Sequence, residues 1–204
     1  MISRQVRPRV KPHPRQRSQN NRSTVATNTH TGLGIDMRIF GIAGWSGGGK
    51  TTMLTNLIPV LIGRGLSVST VKHAHHAFDI DKPGKDSHHH RKAGASEVLI
   101  SSANRWALLH ENRGEAELSL DGMLARLSPV DLVLVEGFKH HPHDKLEVHR
   151  VDNGKPLLQP DDVHVRAIAS DTDIPDAPVP VFDLDDIEAI ADFILVSTGL
   201  RGGL

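Results

Sequence analysis

Residues 44–52 read GWSGGGKTT, preceded by the apolar run Ile39-Phe40-Gly41-Ile42-Ala43 and followed by an apolar-periodic segment from Met53. The stretch matches G-x-x-x-x-G-K-[ST], with Gly44, Gly49, Lys50 and Thr51 at the fixed positions. Glycine lacks Cβ, so the backbone at Gly44, Gly47, Gly48 and Gly49 is free to turn its N–H groups inward onto phosphate oxygens. The helix that follows adds the positive end of its dipole. Lys50 reaches the β and γ phosphates, and the Thr51 hydroxyl suits the accompanying Mg²⁺. A strand, this loop and a helix form the opening of a nucleotide-binding α/β domain.

Beyond the loop, Leu54, Leu57, Ile58, Leu61 and Ile62 recur at the spacing of one apolar helix face. Pro59 interrupts the run, and Gly63 and Gly65 end it. Leu66 to Val71 alternates apolar and small polar residues and reads as a strand. The resulting βαβ unit predicts a mainly parallel sheet with helices on its faces.

Residues 72–94, KHAHHAFDIDKPGKDSHHHRKAG, are too polar and too Gly/Pro-punctuated for core. Loops leaving the carboxyl ends of parallel strands are where ligands bind in this architecture. Asp79, Asp81 and Asp86 suit Mg²⁺, and Lys72 and Lys85 suit phosphate. His73, His75 and His76, and the run His88 to His90, carry the residue type of metal sites. Against that, the second run starts an expected helix capped by Ser87, where consecutive side chains diverge.

Two short strands, Glu97–Ile100 and Trp106–Leu109, a helix over 118–127 and the run Asp131 to Gly137 follow. Four successive apolar residues, Leu132 to Val135, suit a strand buried on both faces. Glu136 then emerges beside the phosphate loop, where the Mg²⁺-associated acid of such proteins stands. Lys50 and Glu136 are therefore the candidate catalytic pair, with Thr51 and Glu136 as metal ligands. Residues 145–150 alternate, 165–169 and 179–182 read as strands, and Asp185-x-x-Glu188 resembles a capping box for a terminal helix. Asp171, in the loop after Ala169, has the acceptor pair that guanine's N1–H and N2 amine require. An Asp in a turn also bonds its own backbone.

The 204-residue chain is long enough for one substantial domain, and only 3% of it is aromatic, so the core is aliphatic. Cysteine is absent, which excludes disulfides, thiolate metal sites and cysteine nucleophiles and fits a cytoplasmic location. No apolar run reaches the roughly 20 residues that span a bilayer. Residues 1–36 are Arg-rich with a single acid, Asp36, and read as a disordered extension; Met37 is an alternative start. Such a basic arm suits nucleic acid or anionic lipid, although nucleic acid is not the expected partner of the domain. The domain spans 37–197, and 198–204 is a flexible tail.

GWSGGGKTT, KHAHHAFDIDKPGKDS, Arg105 to Leu108, DLVLVEGFK and AIASD, in this order, resemble the molybdopterin-guanine dinucleotide biosynthesis adapter protein B (MobB) family. The resemblance covers about residues 37–195. It implies a three-layer P-loop NTPase that binds GTP and Mg²⁺, hydrolyses GTP weakly and forms a homodimer. It also implies work beside the nucleotidyltransferase that attaches GMP to molybdopterin, helping to deliver nucleotide or finished cofactor to molybdoenzymes. By motif, Gly47 to Thr52 would bind phosphate, and the 72–86 loop, with Lys72, His73, His75, Asp79, Asp81 and Asp86, would complete the nucleotide or pterin site. An acid carried by some relatives falls at Ala77 here, so that ligand role does not transfer. The same loop on the same fold also serves GTP-dependent nickel chaperones and small-molecule kinases.

Overall fold

The computed structural model describes the backbone of residues 29–30 and residues 37–74 and 78–200. Nearly all of the expected N-terminal extension, His75, His76, Ala77 and the last residues of the tail lie outside them. Strand β1 (Thr29–His30) pairs antiparallel with the start of β2 (Met37–Ala43). Helix α1 (Lys50–Gly63) and strand β3 (Val68–Lys72) follow, then α2 (Asp86–Lys92) and a separate antiparallel pair, β4 (Glu97–Ser101) and β5 (Trp106–His110). Helix α3 (Leu120–Leu124), strands β6 (Leu132–Glu136), β7 (Lys145–His149), β8 (Val165–Ser170) and β9 (Val181–Asp183), and helix α4 (Ile187–Thr198) complete the chain.

The main sheet runs β3-β6-β2-β7-β8-β9, and every pairing along that path is parallel. Alternation along β2 and β6 splits the core in two. Phe40, Ile42, Leu132 and Leu134 pack with Leu57 and Leu61 of α1 and Ile190 and Ile194 of α4. Ile39, Val133 and Val135 face the other way, onto Leu120 and Leu124 of α3. Helices thus cover both faces, the three-layer P-loop NTPase arrangement expected from the βαβ reading. Among the described residues no helix is long and apolar enough to cross a membrane.

Several local expectations are revised. Helix α1 contains Pro59, the expected kink position, at an exposed site. Its apolar face is centred on Met53, Leu54, Leu57 and Leu61, leaving Ile62 54% exposed. Helix α2 is entered through Lys85, not Ser87, without a side-chain cap, and α4 is capped by Asp186, which accepts from Ala189 N–H, not by Asp185. The polar positions of β7 are not solvated: Lys145 and Glu147 are fully buried under the loops that precede and follow the strand. The Lys145 ammonium donates to the carbonyls of Lys139 and His141 and to Asp162, and Glu147 accepts from the backbone N–H of Leu158 and Gln159. Alternation there marks a face covered by loops whose polar groups match it.

Candidate functional site

The parallel register brings the ends of β3, β6 and β2 together, pairing Lys72 with Glu136 and Glu136 with Ile42. Immediately beyond Ala43 the phosphate loop needs glycine. At Gly44, with φ +140, a Cβ would lie 2.4 Å from the Val148 carbonyl oxygen. Gly47 and Gly49 also have positive φ. Helix α1 starts at Gly49 in the left-handed conformation with no capping side chain and no acid in its first turn. By contrast α3 and α4 are capped by Ser119 and Asp186, and α2, which also lacks a side-chain cap, carries Asp86 in its first turn. The first-turn N–H groups of α1 therefore face a site that lacks its own acceptor, the arrangement an anion completes.

Around this loop a cleft of about 450 Å³ is lined by Gly44, Ser46, Lys50, Lys72, Glu136 and Lys139, among others. The Lys50 ammonium donates to the Trp45 carbonyl at 2.9 Å, and Lys72 lies 3.3 Å from Glu136 Oε1. Lys139 stacks its ammonium 4.1 Å from the Trp45 ring centroid. Partial burial, offset by Glu136 and reinforced by the charges of Lys139 and Lys72, lowers the Lys50 pKa. Three ammonium groups against one carboxylate is the charge balance of a polyphosphate with a divalent cation, so the residues fit both. Lys50 and the loop N–H groups would hold phosphate; Thr51, exposed in the first turn, and Glu136 would hold Mg²⁺. Bound there, the cation would supply charge neutralisation to the phosphate oxygens.

Two acids of the second loop are held by α2. Asp79 and Asp81 are drawn together by one guanidinium: Arg91 Nη2 lies 2.7 Å from Asp79 Oδ1 and 2.8 Å from Asp81 Oδ1. Both acids thus brace the loop against α2, and the Arg91 bond holds the Asp81 carboxyl below its ordinary pKa. Asp86 is an exposed residue of the first turn of α2. His73 faces Glu117 at 2.7 Å and packs on Phe138. His73, Ala74 and Phe78 line the phosphate cleft and also an adjoining cleft of about 630 Å³ that reaches Asp81, Arg91 and Leu108. The two form one trough from the phosphate loop to the β4–β5 sheet. His88, His89 and His90 occupy successive positions of α2, and among the described residues no group of three His, Cys, Asp or Glu side chains is arranged to hold a metal.

Asp171 Oδ1 accepts from Val151 N–H at 3.0 Å, and its other oxygen lies 3.7 Å from Arg150. Sequence reasoning passed over Arg150, Asn153, Lys139 and Trp45. Asn153 donates to the Ser46 carbonyl and Trp45 to that of Pro156, which ties the segment after β7 across the loop. Only the position of Trp45 and Ser46 inside the loop motif hinted at these contacts.

Comparison with known proteins concentrates on one family. The family model of molybdopterin guanine dinucleotide synthesis protein B (MobB) matches residues 39–171. The chain is 44% identical over 160 residues to the molybdopterin-guanine dinucleotide biosynthesis adapter protein of Escherichia coli K12, covering 77% of this chain and 91% of that one. It is 41% identical over 156 residues to the protein of the same description from Haemophilus influenzae, covering 76% and 86%. Among solved structures, a crystal structure of molybdopterin-guanine biosynthesis protein B superposes with a TM-score of 0.63 at 31% identity, over 79% of this chain and 99% of that one. Bacillus subtilis MobB gives 0.63 at 25% identity over 80% and 98%.

Proposed function

The chain belongs to the MobB family, and from that premise we propose that it is a GTP-binding adapter in molybdopterin guanine dinucleotide biosynthesis. In this reading GTP and Mg²⁺ occupy the phosphate loop, hydrolysis is slow, and the protein assists the guanylyltransferase or the handover of cofactor to molybdoenzymes in the cytoplasm. The observation that carries it is the juxtaposition of Lys50, Lys72 and Glu136 at the mouth of an uncapped glycine loop. The trough toward β5 gives a pterin or its guanine dinucleotide room beside the nucleotide.

Homodimerisation belongs to the same reading. Leu99 pairs with Leu108, and Ser101 with Trp106, so Leu99, Leu108 and Trp106 share one face of the β4–β5 sheet. They are 64%, 47% and 69% exposed, an apolar strip suited to a second copy of the chain. Sedimentation of the wild type and Trp106→Ala tests this, with a dimer expected to weaken in the variant.

Calorimetric titration of the full chain with GTP and ATP, with and without Mg²⁺, tests nucleotide binding. A pull-down from a molybdenum-using cell, probed for the guanylyltransferase and molybdoenzymes, tests the adapter role. Recovery of either that depends on GTP is expected; no GTP binding, or recovery of neither, would refute the reading.

A further inference from the structure

Sheet order puts Glu136 and Lys72, which share a cleft with Lys50, on the β6 side of the phosphate loop, and puts Arg150, at the end of β7, on the other. Arg150 follows β7 directly and opens the 3₁₀ turn Val151–Asn153 from an extended conformation. Its guanidinium packs on the backbone that precedes Lys50: a Cβ at Gly49 would be 3.2 Å from Arg150 Nε and 3.7 Å from Nη2. A side chain at position 49 would crowd this approach by a few tenths of an ångström. The side chain is 41% exposed, and its carboxylate partner among the described residues is Asp171, at a loose 3.7 Å.

Three long-range bonds hold the segment in place. Asp171 accepts from Val151 N–H, Asn153 donates to Ser46, and Trp45 donates to Pro156. The cation is therefore carried on a braced turn. A guanidinium presents a planar fork of donors that matches phosphate geometry, and one long contact to Asp171 leaves most of that capacity unused.

We propose that Arg150 is a further phosphate-binding residue of this site, on the flank opposite Glu136, and that Asp171 is its positioning residue. This rests on the nucleotide reading above. The terminal phosphate and metal belong beside Lys50 and Glu136, so the opposite flank faces the phosphate nearest the nucleoside. Arg150 then contributes equally to triphosphate and diphosphate, whereas Lys50 favours the triphosphate. It also follows that Asp171 acts through Arg150 and not on the base.

The test is calorimetry with GTP, GDP and ATP on the wild type, Arg150→Ala, Arg150→Lys and Asp171→Asn, each checked by thermal melting. Arg150→Ala is expected to lose about tenfold or more in affinity for GTP and GDP alike, with Arg150→Lys recovering part of it and showing the wild-type salt dependence. Asp171→Asn is expected to weaken GTP and ATP by the same factor. Arg150→Ala binding GDP within about twofold of wild type would overturn the proposal. So would equal losses in the Ala and Lys variants with a lowered melting point, the signature of a strut, or an Asp171→Asn change confined to the GTP/ATP ratio. A wild type that binds no nucleotide would instead sink the site as a whole.

Discussion

The Lys72 ammonium stands 3.3 Å from the Glu136 carboxylate, joining two residues that are direct neighbours in the parallel register of β3 and β6. The Lys72 side chain is 58% exposed and that of Glu136 12%, so the pair holds a carboxylate at the site more than it stabilises the fold. Lys72→Ala is expected to shift the melting temperature by no more than about 2 °C while weakening GTP binding. Glu136→Gln should slow Mg²⁺-dependent hydrolysis more than it weakens binding. Melting curves, calorimetry and phosphate release measure the three quantities; equal hydrolysis rates in Glu136→Gln and wild type would remove Glu136 from the metal site.

Lys50→Ala should abolish measurable triphosphate binding and leave the fold intact. Its ammonium bonds one loop carbonyl, at Trp45, and its burial is partial, so little folding energy depends on it. Calorimetry with GTP beside circular dichroism checks both halves, and an unchanged affinity would refute the phosphate-loop assignment.

Two glycines should respond in opposite directions. Gly44→Ala forces a side chain into φ +140 and toward the Val148 carbonyl, so a loss of at least about 1–3 kcal/mol of stability, together with GTP binding, is expected. At Gly63, the last residue of α1, an added methyl would meet no atom within 4 Å, and φ is not positive. Gly63→Ala should raise stability by about 0.5 kcal/mol, with nucleotide affinity unchanged. Urea denaturation distinguishes the two.

His143 gives the protein an acid-sensitive core. It is 4% exposed, its Nδ1 meets that of His141 at 3.0 Å, and its Nε2 lies against Gly41 without a partner. Burial, then the charges of Lys145 and His141, with Asp162 opposing, lower its pKa from 6.5 to about 4. The unfolded chain therefore takes up the proton first. Stability is full above about pH 6.5 and falls as pH drops toward about 4, by roughly 3 kcal/mol in total, with no further contribution from this residue below that. Denaturation at pH 7 and pH 5 should show this slope in the wild type and a shallower one in His143→Gln. Parallel slopes would refute the assignment.

The phosphate loop, the buried strand ending in Glu136 and the helix on Leu54, Leu57 and Leu61 were all legible in the sequence. Each is a local pattern: a fixed glycine spacing, an uninterrupted apolar run or a 3.6-residue period, whose physical cause lies within about ten residues of chain. The sheet class followed, because a strand, a helix and a second strand have one favourable way to pack.

Only the tertiary structure decided what the polar residues do. Asp79 and Asp81 look like metal ligands in one dimension, and in three they share Arg91. Lys145 and Glu147 look like the wet face of a strand, yet they are sealed by loops that supply matching carbonyls, N–H groups and Asp162. Asn153 meets Ser46 across 107 positions, and Arg150 meets Gly49 in the same way. A charged side chain carries no periodic signature of its partner; the partner is set by which strand ends the sheet order places side by side.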